Sequence, residues 1–257
     1  MRKTFPHWFR ILVMNLTVIP ATVLMTMVCI LVFPLVFLLF RLATPWNNAL
    51  IMRKFVWYYG RIWQWIISPF VHLELTGFDG KIPVPCVFVV NHLSFFDTFF
   101  MNQLPIFNVC FAVRSWPFKM PFYGPFMKLA NYLDVESRPW ESILASGKAV
   151  LEQNGTILFF PEGHRSRDGN LKKFYSGAFK MSVEAGVPLV PLCITGTDCF
   201  FPPARGWFAP CRIKIRMLDP VHPETFNSHL PHCEMKKKVH ALMAQNIKSM
   251  NHQDNNR

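Results

Sequence analysis

The first long feature of the chain is an uncharged apolar run between Arg10 and Arg41, built mainly from Leu, Val, Ile, Phe and Met, with Pro20 and Pro34 inside it. It exceeds the roughly 20 residues that cross a bilayer once and falls short of the roughly 40 needed for two full helical spans. A single tilted span and a shallow helical hairpin are the two geometries left. A secretory signal fits less well, because its apolar core is only about 7 to 15 residues long and no A-x-A site follows. From Leu73 onward the pattern changes to short apolar runs alternating with helical periodicity. Strands are expected at 86–90, 109–113, 132–135, 157–160, 189–195 and 213–217, and helices at 122–130, 141–153, 177–185 and 235–250. That alternation predicts an α/β layer architecture. The chain divides on this reading into an anchoring and interfacial segment (1–72), an α/β domain (73–250) and a polar tail (251–257).

Charge sharpens the reading of the first segment. The chain has 257 residues and a formal net charge of +12. Arg2, Lys3 and Arg10 precede the apolar run, Arg41, Arg53, Lys54 and Arg61 follow it, and no Asp or Glu occurs before Leu73. Basic residues on both flanks suit a non-crossing hairpin with both ends on the cytosolic face, and the two prolines offer places to bend. An anionic lipid surface is the partner this implies. Nucleic acid would not call for a long uncharged stretch beside the basic residues, so it is not expected as a partner. Trp46, Trp57, Tyr58, Tyr59, Trp63 and Trp65 follow the run and suit the headgroup layer, or else pack the segment against the domain. The seven cysteines form no C-x-x-C pair, so neither a disulfide framework nor a zinc site is indicated, and most are expected to be buried apolar residues. No metal is expected.

Two polar clusters each follow a strand-forming run: Asn91-His92-Leu93-Ser94-Phe95-Phe96-Asp97 and Phe160-Pro161-Glu162-Gly163-His164-Arg165-Ser166. Ser94 and Asp97 have capping-box spacing, which predicts a helix with Ser94 as its cap. His92 then lies in the strand-to-helix turn. Within one helix, residues five apart point about 140° away from each other; from a turn, the chain can fold back and bring His92 to Asp97.

These clusters resemble the glycerolipid acyltransferases, the family that includes the lysophosphatidic acid acyltransferases. Asn91, His92 and Asp97 match the NH-x4-D motif, and Phe160 to Ser166 match F-P-E-G-T-R-S except at His164. Val187-Pro188-Leu189-Val190-Pro191 matches V-P-x-x-P, and a variant of the remaining motif runs from Asn131 to Arg138. The resemblance covers about residues 84–218. It implies a mixed α/β sheet flanked by helices and a membrane enzyme that moves an acyl group from acyl-CoA or acyl carrier protein to a lysophospholipid, with no cofactor.

That chemistry needs a base for the hydroxyl proton and a way to hold both substrates. His92 is the candidate base, since imidazole exchanges a proton near neutral pH, and Asp97 would orient it. No G-x-S-x-G elbow is present to support an acyl-serine route. Arg165, with its rigid fork of donors, is the candidate for the acceptor phosphate, and Arg138 for a second contact. Gly163 would let the backbone approach closely. Glu162 would bind an acceptor hydroxyl or hold an arginine. A different acceptor, such as a lyso-aminolipid or another alcohol, and a non-catalytic lipid-binding protein of the same fold are the competing readings.

Overall fold

The computed structural model describes residues 6–121, 123–202 and 206–255, the side chains of 253–255 excepted. Arg2 and Lys3, the expected helix start at Phe122, and the end of the tail at Arg257 lie outside the described residues. The helices are α1 (His7–Ala43), α2 (Asn48–Ile67), α3 (Asp97–Phe100), α4 (Gly124–Leu129), α5 (Trp140–Glu152), α6 (Gly177–Ala185), α7 (Thr197–Phe200) and α8 (Pro231–Asn255). The strands are β1 (Val71–Thr76), β2 (Cys86–Val90), β3 (Val109–Val113), β4 (Leu133–Asp134), β5 (Thr156–Phe159), β6 (Leu189–Thr195) and β7 (Cys211–Met217). β1 was not expected, and it begins at Val71, ahead of the predicted start of the domain. α8 runs through Asn255, so most of the expected polar tail continues the helix.

The strands form one mixed sheet in the order β1-β7-β6-β2-β5-β3-β4. β6, β2, β5, β3 and β4 are parallel neighbours, β7 runs antiparallel to β6, and β1 pairs parallel to β7. The C-terminal ends of β2 through β6 therefore share one edge, where open α/β sheets commonly bind ligands. β2 is buried along its whole length, as a central parallel strand covered on both faces should be. Alternation splits it: Val87 and Val89 join a core that includes residues of α5, α6 and α8. Cys86, Phe88 and Val90 join the opposite core, with Met14, Val18, Trp63 and Ile67 of the first two helices.

α1 is one helix of 37 residues that passes through both prolines, which corrects the expected bend within the apolar run. A proline removes one backbone donor, and the surrounding helical bonds remain. The reversal comes later, at residues 44–47, where Asn47 Oδ1 accepts the Leu50 N–H at 2.9 Å and caps α2. The two helices pack together through Phe33 against Phe55 and through a 2.8 Å hydrogen bond between Thr26 and Tyr59. α1 is also pinned to the domain, since Asn15 donates to Phe208 O at 2.8 Å and accepts the Phe208 N–H at 2.9 Å. Only Met14 and Val18 of α1 are buried, and large apolar side chains such as Leu16, Leu24, Leu31 and Leu42 stand exposed. By length and composition α1 is able to cross a membrane.

The interfacial aromatics divide. Trp63 is core, 1 % exposed and stacked on Phe96, and Trp57 donates to Leu104 O at 3.0 Å. Trp65 and Tyr58 are exposed. Of the basic residues expected at a lipid surface, Arg53 is buried, because it shares the inward face of α2 with Ala49, Met52, Gly60 and Trp63. Cys86, Cys110 and Cys193 are buried as expected, whereas Cys199 is exposed.

Candidate active site

The chain leaves β2 at Val90 and turns at once. Asn91 fixes the exit: its amide donates to Ile194 O at 2.9 Å and accepts the Ile194 N–H at 2.8 Å, closing a two-bond bridge to β6. Beyond it His92 Nδ1 lies 2.7 Å from Asp97 Oδ2. The same oxygen accepts the backbone N–H groups of Leu93 at 2.7 Å and Ser94 at 2.8 Å. The Asp97-to-Ser94 half of the expected capping box is therefore present. The other half is not: Ser94 Oγ accepts weakly from Phe96 N at 3.4 Å, and the helix starts at Asp97 itself. The turn geometry that lets His92 meet Asp97 is the one expected from the spacing.

Asp97 is completely buried, and its Oδ1 has no partner among the described residues. A carboxylate only accepts, so the short bond places a proton on His92 Nδ1, and in the neutral ring the lone pair is then on Nε2. The side chain of His92 is 18 % exposed, and its ring stacks on Phe160 with centroids 4.2 Å apart. No described residue hydrogen-bonds Nε2. A fixed, largely covered imidazole with one open nitrogen is the arrangement of a general base.

The second cluster holds the first in place. Glu162, 4 % exposed, accepts His92 N on Oε1 and Lys172 N on Oε2, each at 2.8 Å. Ser166 N donates to His92 O at 2.7 Å, so both backbone groups of His92 are fastened to the loop after β5. Burial drives the Glu162 carboxyl above its ordinary range, against the opposing pull of these two N–H groups. Among the described residues Glu162 holds no arginine; its carboxylate fastens the backbone of His92 and Lys172 instead. Gly163 has φ +69°, and a Cβ there would lie 2.8 Å from the Tyr175 ring. Glycine is thus required by the turn and by Tyr175.

Arg165 is exposed and makes no hydrogen bond or ion pair to any described residue, so it is not the arginine that Glu162 was expected to hold. Arg138 stands elsewhere, on the connection between β4 and α5, and donates to Ser142 Oγ at 2.6 Å. Arg114, which the sequence reading overlooked, follows β3 directly. It pairs with Glu136 at 2.5 Å and lies 3.0 Å from His164 Nδ1. Its signal was a cation immediately after a buried strand, on the edge that carries His92.

Together the mixed sheet, the bridged strand exit and the fixed His–Asp pair give an α/β domain with a candidate base at the ends of its parallel strands. Residues 78–195 match the acyltransferase family model. The chain is 31 % identical over 156 residues to the chloroplastic 1-acyl-sn-glycerol-3-phosphate acyltransferase BAT2 of Brassica napus, covering 58 % of this chain and 45 % of that protein. It is 30 % identical over 168 residues to the human 1-acyl-sn-glycerol-3-phosphate acyltransferase beta, covering 61 % and 60 %. The chain spans about half the length of the chloroplast relatives it matches. The crystal structure of the lysophosphatidic acid acyltransferase PlsC from Thermotoga maritima superimposes with a TM-score of 0.73 at 23 % identity, covering 96 % of this chain and 98 % of that one. The mixed sheet with its flanking helices and N-terminal apolar helix is therefore a shared fold.

Proposed function

We propose that the protein transfers a fatty acyl group from an acyl thioester, acyl-CoA or acyl carrier protein, to the free hydroxyl of lysophosphatidic acid, giving phosphatidic acid. The observation that carries this is the 2.7 Å His92–Asp97 contact with Nε2 left open. In this reaction Nε2 takes the hydroxyl proton as the acceptor oxygen attacks the thioester carbonyl. The tetrahedral intermediate collapses with loss of the thiolate, which recovers the proton from Nε2. Asp97 keeps the tautomer and stabilises the imidazolium. Arg165, exposed on the loop that carries Glu162, takes the acceptor phosphate. The names of the relatives support this acceptor. We place the domain on the cytosolic face of a membrane, held by α1, on the strength of its exposed apolar surface and the basic residues at either end.

The test is His92→Ala in the full-length protein, assayed against a panel of lysolipids and both donor types, with products identified by mass. Turnover should fall by about 10² to 10⁴ with folding and membrane association intact. Normal turnover would remove the proposal.

A further inference from the structure

A cavity of about 490 Å³ borders the unpaired outer edge of β4. It runs from Asn131 and Gln153, which precede β4 and β5, past Leu133 and Asp134 of β4 to Arg138, which follows that strand. β5 and β3 lie between β4 and β2, the strand that leads into His92, so at about 4.8 Å per strand this edge is about 14 Å across the sheet and a separate place from the His92 centre.

Arg53, 5 % exposed, lines it. Its Nε donates to Ala130 O at 3.0 Å and its Nη1 to Asn108 Oδ1 at 2.9 Å, both neutral acceptors. Among the described residues no carboxylate comes within ion-pairing distance of it. A guanidinium this far from water normally has a counter-charge. The carbonyl of Ala130 at the end of α4 supplies only part of one, because that helix is six residues long.

Lys128 and Arg138 also line the cavity, and Asp134 is its only acidic residue. Asp134 is already engaged: it accepts from Ser115 Oγ at 2.7 Å, from Ser137 Oγ at 2.5 Å and from the N–H groups of Glu136 and Ser137 at 3.1 Å. A neighbouring hollow of about 500 Å³ shares Asn47, Lys128 and Asn131 and adds Arg41 from the last turn of α1. The cationic lining thus continues to the base of the helical hairpin.

We infer that this groove is a second anion site that takes a phosphate group, held by Arg53 from within and Lys128 at the rim. A doubly charged phosphate suits three cations set against one spent carboxylate better than a carboxylate ligand does. The group arrives either as a lipid headgroup, entering past Arg41, or on a soluble phosphate compound. The inference does not depend on the proposed transfer reaction.

Binding is measured on the full-length protein in an Arg165→Ala background, which removes the other expected phosphate contact. One arm titrates sn-glycerol 3-phosphate in neutral detergent by calorimetry. The other compares thermal stability in nanodiscs of phosphatidylcholine with and without phosphatidic acid. One site that weakens about tenfold or more in Lys128→Glu and Arg53→Met supports the groove, and the arm in which it appears identifies the source. Lys128→Glu, on an exposed residue, keeps the test open should Arg53→Met fail to fold. Binding in neither arm, or affinity unchanged by Lys128→Glu, overturns the inference.

Discussion

Glu162→Gln separates a residue that fixes the base from one that touches substrate. Each Glu162 oxygen accepts one backbone N–H at 2.8 Å, from His92 on one side and Lys172 on the other. Glutamine has one acceptor and one donor at those places, so whichever way its amide turns, one N–H faces another. The variant loses one charge-assisted hydrogen bond, worth about 1.5 to 3 kcal/mol, and leaves a buried donor unmet. Removing a buried carboxylate that burial has already driven toward its neutral form returns part of this. The net cost is about 2 kcal/mol, which for a chain of this size lowers Tm by roughly 4 to 8 °C. Displacement of His92 should lower kcat by about 10- to 100-fold with little change in acceptor KM. Thermal unfolding in detergent and initial rates across acceptor concentrations measure both quantities. A variant with the wild-type Tm and a raised acceptor KM would refute the positioning role and make Glu162 a substrate contact.

Arg165→Ala should raise apparent KM far more for a phosphate-bearing acceptor than for an uncharged one, and equal losses on both would make Arg165 structural. Burial alone would raise the Asp134 carboxyl, but hydrogen bonds from Ser137, Ser115 and Glu136 outweigh it and hold the group at about 2. A depressed pKa stabilises the fold above the unfolded value near about 3.9 and is lost as pH falls toward about 2. The Tm difference between the wild type and Asp134→Asn should therefore shrink over that interval, and a constant difference would sink the argument. Membranes carrying the full-length chain should keep it through a wash in 1 M salt, where the Debye length is about 3 Å, because exposed apolar side chains of α1 hold it rather than charge; release without detergent would remove the anchor.

The elements legible in sequence were those buried on both faces. β2, β3 and β6 fall on the expected residues because each is a short continuous apolar run between turn signals. β1 was missed for the converse reason: only Val71 is buried, and the remaining residues of the strand are intermediate or exposed. Arg53 and Lys54 look alike in a list of basic residues. Their fates differ because one position along α2 turns a side chain by about 100°, sending Arg53 inward while Lys54 Nζ sits 4.2 Å from the Phe107 ring centroid. The apolar stripe of α2 carried that information, and a count of charges did not. Arg53 is therefore not among the residues that α2 presents at the protein surface.

The His92–Asp97 contact was legible because both residues lie in one local turn, whose geometry five residues of spacing largely fix. What holds them is long-range and left no local trace. Asn91 reaches across to Ile194, Glu162 to the His92 N–H, and Ser166 N to the His92 carbonyl. Each contact exists because β5 and β6 flank β2 in parallel, so that segments far apart in sequence emerge side by side. The same topology brings Arg114, after β3, to His164, after β5. Arg138, after the edge strand β4, instead lines the outer cavity with Arg53. The two arginines of the sequence reading are thereby separated: Arg165 projects from the loop that fastens the base, and Arg138 from the outer edge of the sheet. Loss of Arg165 should therefore be felt at the acceptor, whereas loss of Arg138 should be felt there only through the loop between β4 and α5.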